Sequence, residues 1–135
     1  MTAAPTGLLD TSVFIANETG RPLGELPERV AVSVITIGEL RLGVLVAPDA
    51  ERRARRAETL ALARTADPVP ISEAVMAAWA QIVADCRVAG VTRTVKLADA
   101  LIAATAVEHG LPVVTQDEDF DAIAAAHPRL SVERV

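Results

Sequence analysis

The chain has 135 residues, 51% of them hydrophobic and 23% charged, with a formal net charge of -5. That composition excludes a disordered chain and predicts a single domain over residues 1–135. Acids in excess, one lysine among thirteen basic residues and only three aromatic side chains exclude a passive nucleic-acid binder with a basic, ring-lined face, unless something offsets the charge.

Gly7-Leu8-Leu9-Asp10 reads as a short buried strand ending on a carboxylate. A short helix over residues 11–18 follows and closes near Gly20 and Pro22. Residues 20–29 carry Pro22, Gly24 and Pro27 and read as a loop. Val30-Ala31-Val32-Ser33-Val34 is rich in β-branched residues and reads as a second strand. The pattern turns helical from Ile35 and stops at Pro48, and Asp49 caps a helix over residues 50–66. Val69-Pro70-Ile71 is a brief extended piece. Ser72 caps a long helix over residues 73–89, with Val75, Trp79, Ile82, Val83 and Cys86 on one apolar face and Gly90 at its end. Residues 96–109 form the next helix, Val113-Val114-Thr115 a strand, residues 120–126 a final helix and residues 130–135 an edge strand. This alternation predicts an α/β domain: a mostly parallel central sheet flanked by helices on both faces, with its functional crevice at the carboxyl ends of the strands.

No apolar run approaches the roughly 18 residues of a membrane helix, so no membrane span is expected. Residues 1–5 lack the basic and apolar regions of a secretory leader, and the lone Cys86 cannot form an internal bridge. A cytoplasmic setting follows as the expectation.

Acids collect where chemistry is expected. Asp10 ends the first strand; Asp117 and Asp119 follow the strand Val113-Val114-Thr115. Glu39 lies in the helix after the second strand, and Asp99 in the first turn of the helix over residues 96–109, each beside apolar neighbours. A buried carboxylate is costly unless paired. Carboxylates that converge within about 4–6 Å stay ionised together only around a cation. Oxygen-only ligands select Mg²⁺, with Mn²⁺ as the alternative. Such an ion beside a phosphodiester makes a water nucleophilic, which is metal-assisted cleavage. Neutralising four site carboxylates would take the net charge from -5 to -1, so the remaining surface need not repel RNA. Each acid has a plainer reading too. Asp10 can cap the first helix, Asp99 can serve the helix dipole, Glu39 can be solvated, Asp117 can form a turn, and Asp119 suits the N-cap of the final helix.

The segments that carry these acids resemble the PIN-domain ribonucleases, and among them the VapC-type toxins. Leu8-Leu9-Asp10-Thr11-Ser12-Val13 resembles the opening motif. Ser33-Val34-Ile35-Thr36-Ile37-Gly38-Glu39-Leu40 followed by Gly43 resembles the second, although Gly38 stands where the family often has a less flexible residue. Leu97-Ala98-Asp99-Ala100-Leu101-Ile102-Ala103-Ala104 through Val114-Thr115 resembles the third, and Thr115-Gln116-Asp117-Glu118-Asp119-Phe120 the fourth. The resemblance implies a PIN fold and a Mg²⁺- or Mn²⁺-dependent endoribonuclease, the toxin of a type II toxin–antitoxin pair, cleaving transfer or ribosomal RNA. It implies Asp10 and Asp99 as direct metal ligands, with Glu39 and Asp117 completing the catalytic set and Asp119 as a helper. Thr11 or Thr115 would hydrogen-bond the carboxylates. A homodimer and a cognate VapB-type antitoxin are the implied partners.

For RNA contacts, Arg52, Arg53 and Arg56 share helical spacing and can hold phosphates, or form a solvated face paired with Glu51 and Glu58. Arg93 and Lys96 form a second candidate patch near Asp99. His109 and His127 read as helix-end caps, and Cys86 as buried and inert. Two rival classes remain. A signalling receiver domain would need a lysine after a late strand, and Lys96 precedes a helix instead. A non-catalytic PIN-fold binding module would not need the intact set of acids.

Overall fold

The computed structural model describes residues 6–135; residues 1–5, where no leader was expected, lie outside the described residues. Among the described residues, four strands form one sheet in the order β2-β1-β3-β4, all parallel: β1 (Thr6–Leu9), β2 (Arg29–Val32), β3 (Val113–Thr115) and β4 (Val132–Arg134). Six α-helices among the same residues join and cover them: α1 (Thr11–Thr19), α2 (Val34–Leu45), α3 (Ala50–Arg64), α4 (Glu73–Ala89), α5 (Leu97–Glu108) and α6 (Asp121–Ala126).

The period of two along a strand divides the core. Leu8 and Val113 pack with Ile82 of α4, Ile102 of α5 and Ile123 of α6 on one face. Leu9 and Val114 pack with Phe14 of α1, Leu40 of α2 and Leu60 of α3 on the other. Burying side chains of this size contributes roughly 1.5–3 kcal/mol each, which holds helices to both faces and leaves the strand ends free for polar groups. Gly7 lets β1 and β3 close up: a Cβ there would come within 2.6 Å of Val114 Cγ2. No helix among the described residues is long and apolar enough to cross a membrane.

The elements follow the expected order, with informative differences at their ends. The second strand stops at Val32, because the Ser33 hydroxyl accepts the Ile35 N–H at 3.0 Å and starts α2 there. Val69, in the brief extended piece, bridges in parallel to Ser33. Thr92–Thr94 forms a short 3-10 turn that the periodicity does not announce. The final helix begins at Asp121, and its N-cap residue is Phe120, without a side-chain cap. The expected capping role of Asp119 is therefore not met; its carboxylate turns to Lys96 instead, with Oδ2 at 3.7 Å from Nζ.

Candidate active site

Leu9 pairs in register with Val32 on one side and Val114 on the other. One residue further, the same register sets Asp10 beside Ser33 and Thr115, at the carboxyl edge of the sheet. Asp10 is only 4% exposed. A carboxylate so buried needs hydrogen bonds, and one oxygen receives them all. Thr115 Oγ1 donates to Asp10 Oδ2 at 2.9 Å, Ser12 Oγ at 2.8 Å and the Ser12 N–H at 3.4 Å. Both hydroxyls spend their single hydrogen on Oδ2, so each is left to accept. Thr115 Oγ1 takes the Asp117 N–H and Ser12 Oγ takes the Gln116 N–H, both at 3.0 Å. The loop after β3 is thereby fixed to the first turn of α1. Asp10 Oδ1 accepts no hydrogen bond among the described residues, and it remains available to a ligand.

Asp10, Glu39, Asp99, Asp117 and Asp119 line one cavity of about 330 Å³. Glu39 extends from the exposed side of α2, next to the buried Leu40, and its Oε1 accepts from Thr11 Oγ1 at 2.7 Å. Thr36 Oγ1 lies 3.1 Å from the same Thr11 oxygen. Asp99 occupies the first turn of α5 and is half-buried. Burial, then the charges of Asp10, Asp119 and Glu39, push its carboxyl up to about 6, against a smaller opposing pull from Lys96. Asp117 is raised as well, by burial and then by Asp10 and Asp119, while Arg21 and Lys96 oppose the rise. Neither Asp99 nor Asp117 has a side-chain hydrogen bond among the described residues. The rise at Asp99 and Asp117 comes first from burial and then from like charges that share one space.

As these side chains stand, no three of them are gathered tightly enough to ligate one ion, among the described residues. The donor set nonetheless fits a small hard divalent ion. Every donor is oxygen, and Mg²⁺ takes only one or two carboxylates directly and keeps water in its other positions. Asp10 Oδ1 and the unpartnered carboxylate of Asp99 meet that need, and a cation would remove the repulsion that raises Asp99.

The cationic residues divide. Lys96 lines the cavity and pairs with Asp119. Arg56 lines a neighbouring hollow that shares Ile15 and Glu39 with the acidic cavity, and its guanidinium donates to the Gly43 carbonyl at 2.7 Å. Arg52, Arg53 and Arg93 are exposed and do not line the acidic cavity. Arg52 instead pairs with Asp49 at 3.7 Å, and Arg55 with Glu51 at 3.2 Å, as on a solvated helix face. Arg21, which the sequence reading passed over, lines the cavity from the loop after α1. Nothing periodic marks that loop, so only the sense of charge could have suggested it. Ser12 was likewise not singled out, although its hydroxyl is the hinge between Asp10 and the β3 exit. His127 closes α6, and its Nδ1 lies 2.7 Å from Asp85 Oδ2, far in sequence from the acids. Burial pushes the Cys86 thiol up, in keeping with an inert core residue.

The PIN domain pattern matches residues 7–126. The chain is 70% identical over 100 residues to ribonuclease VapC8 of Mycobacterium tuberculosis, covering 74% of this chain and 89% of that protein. It is 42% identical over 127 residues to ribonuclease VapC5 of the same organism, covering 93% of each. Among solved structures it resembles VapBC-5 from Mycobacterium tuberculosis, a member of the VapBC family of toxin–antitoxin systems, with a TM-score of 0.82, 39% identity and coverage of 96% of this chain and 97% of that one.

Proposed function

The chain belongs to the PIN domain family, among its VapC-type ribonucleases, and from that premise we propose that it is the toxin of a toxin–antitoxin pair, an endoribonuclease whose centre is the acid-lined cavity at the sheet's carboxyl edge. The receiver-domain reading gives way to this membership. The observation that carries the assignment to residues is the convergence of Asp10, Glu39, Asp99 and Asp117, from four separate segments, on one cavity.

PIN-domain ribonucleases generally depend on a metal. Here Asp10 and Asp99 would hold a Mg²⁺ or Mn²⁺ ion, with Glu39 and Asp117 completing the set and Asp119 as a weaker contributor. Bound there, the ion supplies charge neutralisation and acidifies a water for attack on a phosphodiester. The chain's own residues do the positioning. Thr115 and Ser12 clamp Asp10 Oδ2, so that Oδ1 presents in one orientation. Thr11 orients Glu39. Thr115 also holds the backbone N–H of Asp117, so one hydroxyl sets two of the acids. A VapB-type antitoxin and a second copy of the chain are the expected partners, in the cytoplasm. Transfer and ribosomal RNA loops are the expected substrate class, read by shape.

Sequencing RNA ends after brief induction tests the reading. Wild type should create new ends at a few sites, and Asp10→Asn should create none while melting at a similar temperature. Loss of a metal-holding carboxylate should lower the cleavage rate about 10²–10³-fold or more, the range seen when one preorganised electrostatic group is removed. Equal cleavage by wild type and Asp10→Asn would falsify the assignment, and full cleavage in excess EDTA would remove the metal from it.

A further inference from the structure

Two exposed cationic side chains, Arg21 and Lys96, line the acidic cavity, and the fold uses them differently. Lys96 is spoken for by Asp119 at 3.7 Å. Arg21 has no ion pair and no side-chain hydrogen bond among the described residues, although it lines a cavity with five carboxylates. Its backbone, by contrast, is held on both sides. Gly20, at a φ of 74°, turns the chain back after α1, and the Arg21 N–H donates to the Ala16 carbonyl at 2.9 Å. The next carbonyl, of Pro22, accepts from Gln116 Nε2 at 3.3 Å. Gln116 precedes Asp117, and its own N–H donates to Ser12 Oγ, the hydroxyl that clamps Asp10. The short segment carrying Arg21 is thus tied to both segments that carry the central acids, while the guanidinium itself makes no hydrogen bond or ion pair among the described residues and acts on Asp117 only through its charge.

An arginine placed among acids for stability alone would be expected to settle on one of them in a bidentate pair. Arg21 does not. Its fork of donors matches two oxygens of an incoming anion, and the phosphodiester is the anion that an acidic cavity has most difficulty admitting. We propose that Arg21 is a substrate-binding residue that grips the non-bridging oxygens of the RNA phosphate at or beside the bond to be cut. This inference rests on the ribonuclease reading and names how that site takes its substrate. It also gives a protein of net charge -5 a cation on the exposed rim of the acidic cavity itself.

The test uses full-length wild type, Arg21→Gln and Arg21→Lys. Binding of a fluorescent single-stranded RNA of random sequence is measured across a salt series in Ca²⁺, with the strand checked for integrity. Cleavage of bulk cellular RNA is measured separately in Mg²⁺ or Mn²⁺. Removing one phosphate contact should lower the slope of log K against log salt by about 0.7 and weaken binding about five- to tenfold. KM should rise more than kcat falls. Arg21→Lys should restore the slope and part of the affinity, because it returns the charge without the fork. An unchanged slope and KM in a folded Arg21→Gln protein would overturn the clamp. Failure of the ribonuclease reading looks different: wild type and Asp10→Asn would cleave alike, while the salt slope would still report on Arg21.

Discussion

Asp10 and Asp99 face the same cavity from two walls, and the fold treats them in different ways. On the sheet wall, Asp10 is almost fully buried, and one of its oxygens takes three donors from Ser12 and Thr115. On the helix wall, Asp99 stands in the first turn of α5 with no side-chain hydrogen bond among the described residues, and its carboxyl is pushed up to about 6. One acid is anchored by hydrogen bonds, and the other is destabilised as an anion by burial and then by neighbouring charge, which a cation would offset. A cation placed between a fixed acid and a destabilised one would gain more than one placed between two solvated acids.

Thr115→Val attacks the anchored wall and should have the larger effect on function. It deletes the donor to Asp10 and the acceptor for the Asp117 N–H in one change. Metal affinity or cleavage should fall about 10–100-fold, as for outer partners of metal ligands. Stability should fall by about 1–3 kcal/mol, since a buried polar partner is lost. Thr115→Ser, which keeps the hydroxyl, should recover most of the activity. Near-normal cleavage by the valine variant would show that Asp10 needs no anchor.

Asp99→Asn probes the strained wall through stability in EDTA. The folded-state carboxyl titrates near 6, above its ordinary 3.8. Between those values the folded protein keeps a proton that the unfolded chain has released. Wild-type stability therefore falls as pH rises through that window and stays lowered above it. The asparagine variant should match wild type at the acid end and exceed it at neutral pH by about 1–2 kcal/mol, a figure discounted for partial exposure. Denaturant midpoints across pH measure it; parallel curves would show that Asp99 carries no strain. Adding Mg²⁺ or Mn²⁺ should raise the melting temperature of wild type and leave that of Asp99→Asn nearly fixed.

Asp85 offers a comparison outside the cavity. Its hydrogen bond to His127, then that to Gln81, lowers its pKa. Its stabilising contribution is present above the ordinary carboxylate range and fades as pH falls through the lowered value. Asp85→Asn should remove that acid-side dependence without altering cleavage at neutral pH. The smallest effect is expected at Lys96→Met. Its exposed pair with Asp119 contributes about 0–1 kcal/mol, so stability should change little.

Much of this was legible in the sequence, for definite reasons. Asp10 and Asp117 could be placed because short apolar runs mark buried strands, and parallel sheets put function at strand ends. Asp99 and Glu39 drew notice as charges among apolar neighbours. What was not legible depends on contacts between distant segments. Asp119 looked like a cap because it precedes a helix, but the Asp121 N–H closes a turn onto the Glu118 carbonyl, and the helix entry goes to Phe120. The arginines of α3 stand out because they are dense, yet the cations that line the cavity are Lys96, which the sequence also marks, and Arg21, which it does not. The hydroxyl relay through Ser12 and Thr115 joins residues 103 apart, a pairing that local pattern cannot express.

That separation has a consequence for synthesis. The first strand and Asp10 leave the ribosome early, but Thr115, 105 residues later, supplies the hydroxyl that locks the carboxylate. Until β3 is translated and slides in beside β1, the nascent polypeptide has an acid without its clamp and a sheet without its middle. The geometry around Asp10 is therefore complete only after residues from both ends of the domain have been made and have met.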